Sequence, residues 1–223
     1  MRAVLAVAIG AVLSSTAVAQ DQKAIIAGVD GTFAPFVMPK LGGGVEGFTV
    51  DMLNELNKQT SRKIEVFVGQ FSGLIPARNA GQMGFIGAPV TMTQERAENL
   101  LLSEPYLTTY YTFIIPAQGQ DVKTLDDLKG KTVAVNRGSS YDQWAQQHAA
   151  KYGFKVESFG TTADATQAVL SGRANAQLLG NAIGAFAATR SGGKVRLASA
   201  TVDDGRVFAA AFRKGDAAMR KEA

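Results

Sequence analysis

Short apolar runs alternate with amphipathic stretches along nearly the whole chain. Residues 24–29 read as a buried strand, and residues 48–56 place Val50, Leu53 and Leu56 at helical spacing. Residues 64–68 alternate as a strand, and Ser72 stands where it can cap a helix over 73–80. A strand follows at 83–88, Thr93 opens a polar helix through 98, and residues 110–115 are rich in β-forming side chains. The pattern then restarts. Thr124-Leu125-Asp126-Asp127 has capping-box spacing, 131–135 is a strand, and Ser139 or Ser140 caps a long helix to about 152. Strands at 154–158, 174–179, 195–198 and 207–212 and helices at 163–170 and 182–189 complete the series. This alternation predicts an α/β protein with mainly parallel sheets. Pro, Gly and Gln interrupt the periodicity over 116–122, which marks a boundary between two halves.

The first residues belong to a different class. Met1-Arg2 precedes an apolar run over 3–13, and Ala17-Val18-Ala19 forms a small-x-small cleavage site before Gln20. That is the layout of a secretory signal peptide, 1–19, with the mature chain free in the periplasm. The run is too short to cross a bilayer, which takes roughly 20 apolar residues.

Composition then removes several possibilities. There is no cysteine, hence no disulfide framework, no cysteinyl thiolate and no lipid attachment at the cleavage point. The net charge of +4 comes from Lys and Arg that occur singly or in pairs among acidic residues, so no basic face points to nucleic acid. Gly42, Gly44 and Gly47 fit a G-x-G-x-x-G pattern, but Pro39 breaks the strand such a fingerprint needs. Gly130-Lys131-Thr132 resembles the end of a phosphate loop, yet Leu125 holds the place of its required glycine. His148 is the only histidine and sits mid-helix without a G-x-S-x-G serine. Asp126-Asp127 and Asp203-Asp204 diverge as neighbours. The expectation is therefore no catalytic residue, no metal and no cofactor.

Two segments invite an anion. Thr91-Met92-Thr93-Gln94-Glu95-Arg96 leaves a buried strand and enters a helix, with two hydroxyls, helix-start N–H groups and an arginine one turn later. Asn136-Arg137-Gly138-Ser139-Ser140 joins a strand to a helix start in the other half, where the helix dipole favours negative charge. Each alone is also what ordinary capping looks like; facing each other across a cleft they make a carboxylate site.

These segments sit in a longer series: Gly28-Val29-Asp30 through Pro35-Phe36, Gly47-Phe48-Thr49-Val50-Asp51, Ser72-Gly73-Leu74-Ile75-Pro76-Ala77, and the Thr91 to Arg96 run. Ser103-Glu104-Pro105-Tyr106, the stretch from Leu125 through Val133, Arg137-Gly138-Ser139-Ser140 and Arg213-Lys214-Gly215-Asp216 continue it. In this order they resemble the extracellular solute-binding proteins of ABC importers for polar amino acids, family 3, with the type II periplasmic-binding-protein fold. The resemblance implies two α/β lobes joined by two crossing strands, lobe 1 over 20–113 and 208–223 and lobe 2 over 114–207. It implies a monomer that hands an amino-acid-like carboxylate to a membrane permease.

By position, Arg96 and Thr91 would hold the ligand carboxylate, the Ala88 backbone would accept from an ammonium, and Phe33 and Phe71 would sandwich the apolar part. Ser139 and Ser140 would close from lobe 2, and Asp30 and Asn181 complete the set. Gly180 stands where the resemblance places an ammonium-binding aspartate, which implies weak binding of simple α-amino acids and a gain for them on Gly180→Asp. Pro89 replaces a residue with an N–H to give, and the chain stops soon after Asp216, where the resemblance implies a continuation through a helix that packs back on lobe 1. Relatives of the fold also include a periplasmic dehydratase and the ligand-binding domains of sensory receptors, the two alternatives to transport.

Overall fold

The computed structural model describes residues 24–60, 62–202 and 205–222. The signal-peptide reading and the Asp203-Asp204 pair lie outside them. The elements in chain order are β1 (Ile25–Asp30), β2 (Met38–Pro39), β3 (Val45–Glu46), α1 (Phe48–Gln59), β4 (Ile64–Gly69), α2 (Phe71–Asn79), β5 (Phe85–Thr91), α3 (Gln94–Asn99), β6 (Leu100–Leu102), β7 (Leu107–Thr109) and β8 (Tyr111–Pro116). A 3₁₀ turn at Leu125–Leu128 follows, then β9 (Thr132–Asn136), α4 (Ser140–Tyr152), β10 (Lys155–Phe159), α5 (Thr162–Leu170), β11 (Ala176–Gly180), α6 (Asn181–Arg190), β12 (Val195–Thr201), β13 (Arg206–Arg213) and α7 (Ala217–Glu222). Among the described residues no helix is long and apolar enough to cross a membrane.

The strands form two separate sheets, each the core of one lobe. Lobe 1 has the order β4-β1-β5-β13-β6, with β7 also paired to β13; lobe 2 has β10-β9-β11-β8-β12. In each, three strands run parallel (β4, β1, β5 and β10, β9, β11), and the remainder are antiparallel. The sheets are thus mixed rather than mainly parallel. The antiparallel members are β6 and the four strands beside the two passages between lobes, β7, β8, β12 and β13. Those passages lie between Thr109 and Tyr111 and between Thr201 and Arg206, a few residues before the expected 113/114 and 207/208. The Pro-Gly-Gln break at 116–122 is a loop inside lobe 2, not the boundary.

Local chemistry explains the element ends. Thr93, Ser139 and Thr161 each accept a hydrogen bond from the backbone N–H three residues on, capping α3, α4 and α5. Thr124 and Asp127 complete a capping box, although the turn they start is 3₁₀. Ser72 does not cap α2: the helix starts one residue earlier at Phe71, after Gln70 in extended conformation. Gly47 precedes α1 with φ +122°, and a Cβ there would come within 2.6 Å of the Pro35 and Phe36 carbonyl oxygens. The G-x-G-x-x-G coincidence is therefore a hairpin loop followed by this tight helix entry. His148 stacks on Trp144 with ring centroids 4.1 Å apart and packs along α4, as expected of a structural histidine.

The lobe 1 core joins Val29, Phe85, Ile86, Phe208 and Phe212; that of lobe 2 joins Phe113, Ile114, Val133, Val135, Leu178 and Ala165. Phe33 and Phe36 pack on Phe208, ring centroids 6.3 and 5.7 Å away, so a crossing strand supports the loop after β1. In open α/β sheets the crevice lies beyond the carboxyl ends of the parallel strands. Here β1 and β5 pair only as far as Gly28 and Ile86, and β5 continues alone to Thr91 on that side. Past the split, Ala88 and Pro89 line the space between the lobes.

Candidate functional site

A small cavity of about 20 Å³ lies in that space, lined by Asp30, Phe33, Phe71, Ala88, Pro89, Thr91 and Arg96 from lobe 1 and Asn136, Ser139, Ser140 and Tyr141 from lobe 2. It has room for about one water. An amino-acid-sized ligand needs the lobes to part or the lining side chains to withdraw.

Arg96 dominates one end. Its backbone N–H bonds the Thr93 cap at 3.2 Å, which fixes the first turn of α3 and aims the side chain back towards β5. Nη1 donates to the Thr91 carbonyl at 3.0 Å, Nη2 to the Gly138 carbonyl at 3.4 Å, and the guanidinium lies over the Phe71 ring, 5.2 Å from its centroid. Burial lowers its pKa, the mark of a cation withdrawn from water. Among the described residues no carboxylate stands within ion-pair distance of it. A desolvated guanidinium held by two neutral carbonyls and an aromatic face is half-satisfied: it retains charge and donors for an anion.

The other lobe meets it directly. Ser140 Oγ donates to Thr91 Oγ1 at 2.9 Å, both side chains buried. Ser139 caps α4 by accepting from the Asp142 N–H at 3.1 Å, which leaves the earlier N–H groups of the first turn without intrahelical partners. Thr162 N–H donates to Thr32 Oγ1 at 3.2 Å, and Gln143 contacts the Glu95 carboxylate. Gly138 has φ +72°, and a Cβ there would meet Ser72 Cα at 3.2 Å, so a side chain at this point would hold the lobes apart. The Ser140–Thr91, Thr162–Thr32 and Gln143–Glu95 bonds cross between lobes and must break when they open.

The far end is built by Asp30, 2% exposed at the carboxyl end of β1. Its Oδ1 accepts from Thr32 N–H at 2.9 Å and Thr32 Oγ1 at 2.8 Å, and its Oδ2 accepts from Asn136 Nδ2 at 3.1 Å. No cation among the described residues pairs with it. The cavity wall thus carries both a cation and a carboxylate, the two groups that would complement a zwitterion.

Eight of the nine expected residues, Asp30, Phe33, Phe71, Ala88, Thr91, Arg96, Ser139 and Ser140, come together on this wall. Asn181 does not. Its Oδ1 accepts from Thr109 Oγ1 at 3.0 Å and Tyr110 N–H at 3.3 Å, tying α6 to the passage between lobes rather than facing the cavity. Pro89, Asn136 and Tyr141 line the cavity and were not in the expected set. Asn136 ends β9 as Asp30 ends β1, and the strand-end rule could have found it. Pro89 has no N–H to give to β13, and the register of that pair shifts across it, between Ala209 and Ala211.

Gly180 also departs from expectation. Its φ of −75° accepts any residue, but a Cβ would lie 2.8 Å from Ile183 Cδ1 and Tyr141 Oη and 2.9 Å from Thr109 Oγ1. The Tyr141 hydroxyl fills the volume a side chain at 180 would take. Gly180→Asp should therefore lower stability by about 1–3 kcal/mol through overpacking rather than cleanly add an ammonium site. A melting temperature equal to the parent's would contradict this. Because Asp30 already supplies a carboxylate, Gly180 no longer argues that the cavity lacks negative charge.

Residues 25–223 match the bacterial extracellular solute-binding proteins, family 3. The arginine-binding extracellular protein ArtP of Bacillus subtilis is 31% identical over 158 residues, 71% of this chain; the match spans 61% of ArtP, under two thirds of its length. The L-arginine-binding protein of Pseudomonas aeruginosa is 27% identical over 214 residues, 93% of this chain and 82% of its own. Among solved structures, an ancestral arginine-binding protein bound to arginine superposes with a TM-score of 0.85 at 28% identity, covering 91% of this chain and 89% of that one. With two lobes, paired passages between them and a cavity lined from both lobes at their junction, the chain belongs to the family 3 bacterial extracellular solute-binding proteins.

Proposed function

We propose that this chain captures a small carboxylate-bearing ligand, an amino acid or a close derivative, between its lobes and presents it to the permease of an ABC importer. The observation that carries the reading is Arg96: a half-buried, partly desolvated cation with no carboxylate partner among the described residues, beside the buried hydroxyls of Thr91 and Ser140. A ligand carboxylate would accept the planar two-bond fork that Thr91 and Gly138 carbonyls now share between them. The names of the relatives support the amino-acid class, and arginine in the related structure makes a basic amino acid the first candidate.

Binding here involves no chemical step. Ligand contacts from both lobes would replace the direct Ser140–Thr91 and Arg96–Gly138 bonds, so the closed state gains affinity that the open state lacks. A thermal-shift screen of amino acids, opine-like conjugates and dicarboxylates tests the reading, because a ligand that binds only the folded state raises the melting temperature by mass action. A screen in which no carboxylate shifts the transition would count against it.

Location follows from the N-terminal pattern and the family. Export with cleavage after Ala19 should give a mature N-terminus at or near Gln20. Intact-mass measurement of periplasmic protein from the native host checks this, and a chain still beginning at Met1 would refute it.

A further inference from the structure

Asn136 is 4% exposed, lines the cavity and sits at the carboxyl end of β9. Its Nδ2 donates to Asp30 Oδ2 at 3.1 Å and to Thr162 Oγ1 at 3.1 Å. The first of these fixes the amide orientation, since a carboxylate only accepts and a flipped amide would set two acceptors against each other. Nδ2, not the carbonyl oxygen, is therefore the atom bonded to Asp30, and Oδ1 has no hydrogen-bond partner among the described residues. A buried acceptor is costly to leave unmade, so one on a residue that lines the cavity is placed to accept from a donor that enters it.

We propose that Asn136 Oδ1 is a specificity-determining acceptor for an N–H group on the ligand, acting with the remaining acceptor capacity of Asp30. Asp30 Oδ2 receives only the Asn136 amide among the described residues, whereas a carboxylate oxygen takes roughly two hydrogen bonds. The corner thus presents two oxygens from opposite lobes, one charged and one neutral, to a single donor-rich group. An ammonium or guanidinium satisfies both; a hydroxyl offers one hydrogen, and a methyl none. The same pair couples selection to closure, because Asn136 reaches Asp30 only when the lobes are together. This inference rests on the reading of Arg96 as the carboxylate site, and adds that the ligand's other end must be a nitrogen donor.

Four probes with the same five-carbon acid separate the possibilities: L-ornithine, 5-aminopentanoate, L-norvaline and pentanoate. They carry both amines, the terminal amine alone, the α-amine alone and neither. Calorimetry on the unaltered protein should show pentanoate at least about tenfold weaker than the best amine-bearing probe, the scale of one hydrogen bond to a charged group. Norvaline against 5-aminopentanoate tells which amine occupies the corner. Asn136→Leu should then weaken the favoured amine about tenfold while changing pentanoate by less than about threefold.

Equal weakening of both would reduce Asn136 to a closure contact and overturn the inference, as would pentanoate binding as well as its amines. If the probes bind and depend on Arg96 but ignore the amine, this inference alone falls. If none binds, or binding ignores Arg96, the carboxylate reading falls and takes this one with it. The comparison on the unaltered protein needs no variant, so the inference stays exposed even if Asn136→Leu does not fold.

Discussion

Arg96→Ala should weaken ligand binding by about 2–5 kcal/mol, roughly thirty- to several-thousand-fold, with little change in the melting temperature of the ligand-free protein. Much of the loss is the penalty of leaving a buried ligand carboxylate without its partner. The apo protein is spared because Arg96 makes only two bonds to backbone carbonyls, one of them at 3.4 Å across the lobes. Arg96→Lys should recover only part of the affinity, since an ammonium cannot present the planar fork that guanidinium does and loses the stacking over Phe71. Titration calorimetry on the three proteins with one ligand from the screen reads both effects. If Arg96→Ala binds as the parent does, the site has been misplaced.

The largest effect on stability should come from a pair far from the cavity. Arg78, in α2, is 2% exposed, and it contacts the carboxylate of Asp216 at the start of the C-terminal segment. Asp216 also accepts from Arg213 at 3.0 Å. Asp216→Ala leaves a buried guanidinium uncompensated, a change that typically costs about 3–5 kcal/mol. For a chain of this size that lowers the melting temperature by on the order of 10 °C. Burial pushes the Asp216 carboxyl up, but the Arg213 and Arg78 hydrogen bonds outweigh it and hold the pKa below its ordinary value. A depressed carboxyl contributes stability above its unfolded-state pKa and loses it as pH falls through the folded value. The gap between parent and variant should therefore be full at neutral pH and close below about pH 4. Denaturant melts at a series of pH values check both claims. A gap that persists at pH 2 would mean Asp216 acts through packing and not through charge.

How much of this was legible in the sequence depended on whether the signal was local. Thr93 and Ser139 were readable as caps because the residue that accepts the N–H bond is the one that ends the extended segment. Those two caps position Arg96 and Ser140, so the core of the site followed. Ser72 looked like a cap for the same reason, but Gln70 and Phe71 start the helix earlier and the serine faces Gly138 of the other lobe. The short strands β6 and β7 gave no local signal: three residues each, they exist because β13 pairs with both. The passage at 109–111 was hidden because residues 110–115 read as one continuous strand, and periodicity does not say which sheet a strand joins.

Asn181 and Asn136 show the limit for polar side chains. Both follow buried strands, and no pattern tells whether such a side chain turns back to tie the fold or stands at the cavity. Asn181 found Thr109 and the Tyr110 N–H; Asn136 found Asp30 across the cleft. Gly180 was read for the charge it lacks, whereas its structural meaning is the Tyr141 hydroxyl packed against it.

The central claim is that a ligand carboxylate is captured by Arg96 between the lobes. It is tested most directly by titrating the unaltered protein, in one calorimeter run each, with L-arginine and with L-argininamide, which keeps every donor but replaces the carboxylate by a neutral amide. The account predicts measurable binding of the acid and at least about thirtyfold weaker binding of the amide, the lower bound of the charge-pair loss. Equal affinities for the two, or tighter binding of the amide, would contradict it.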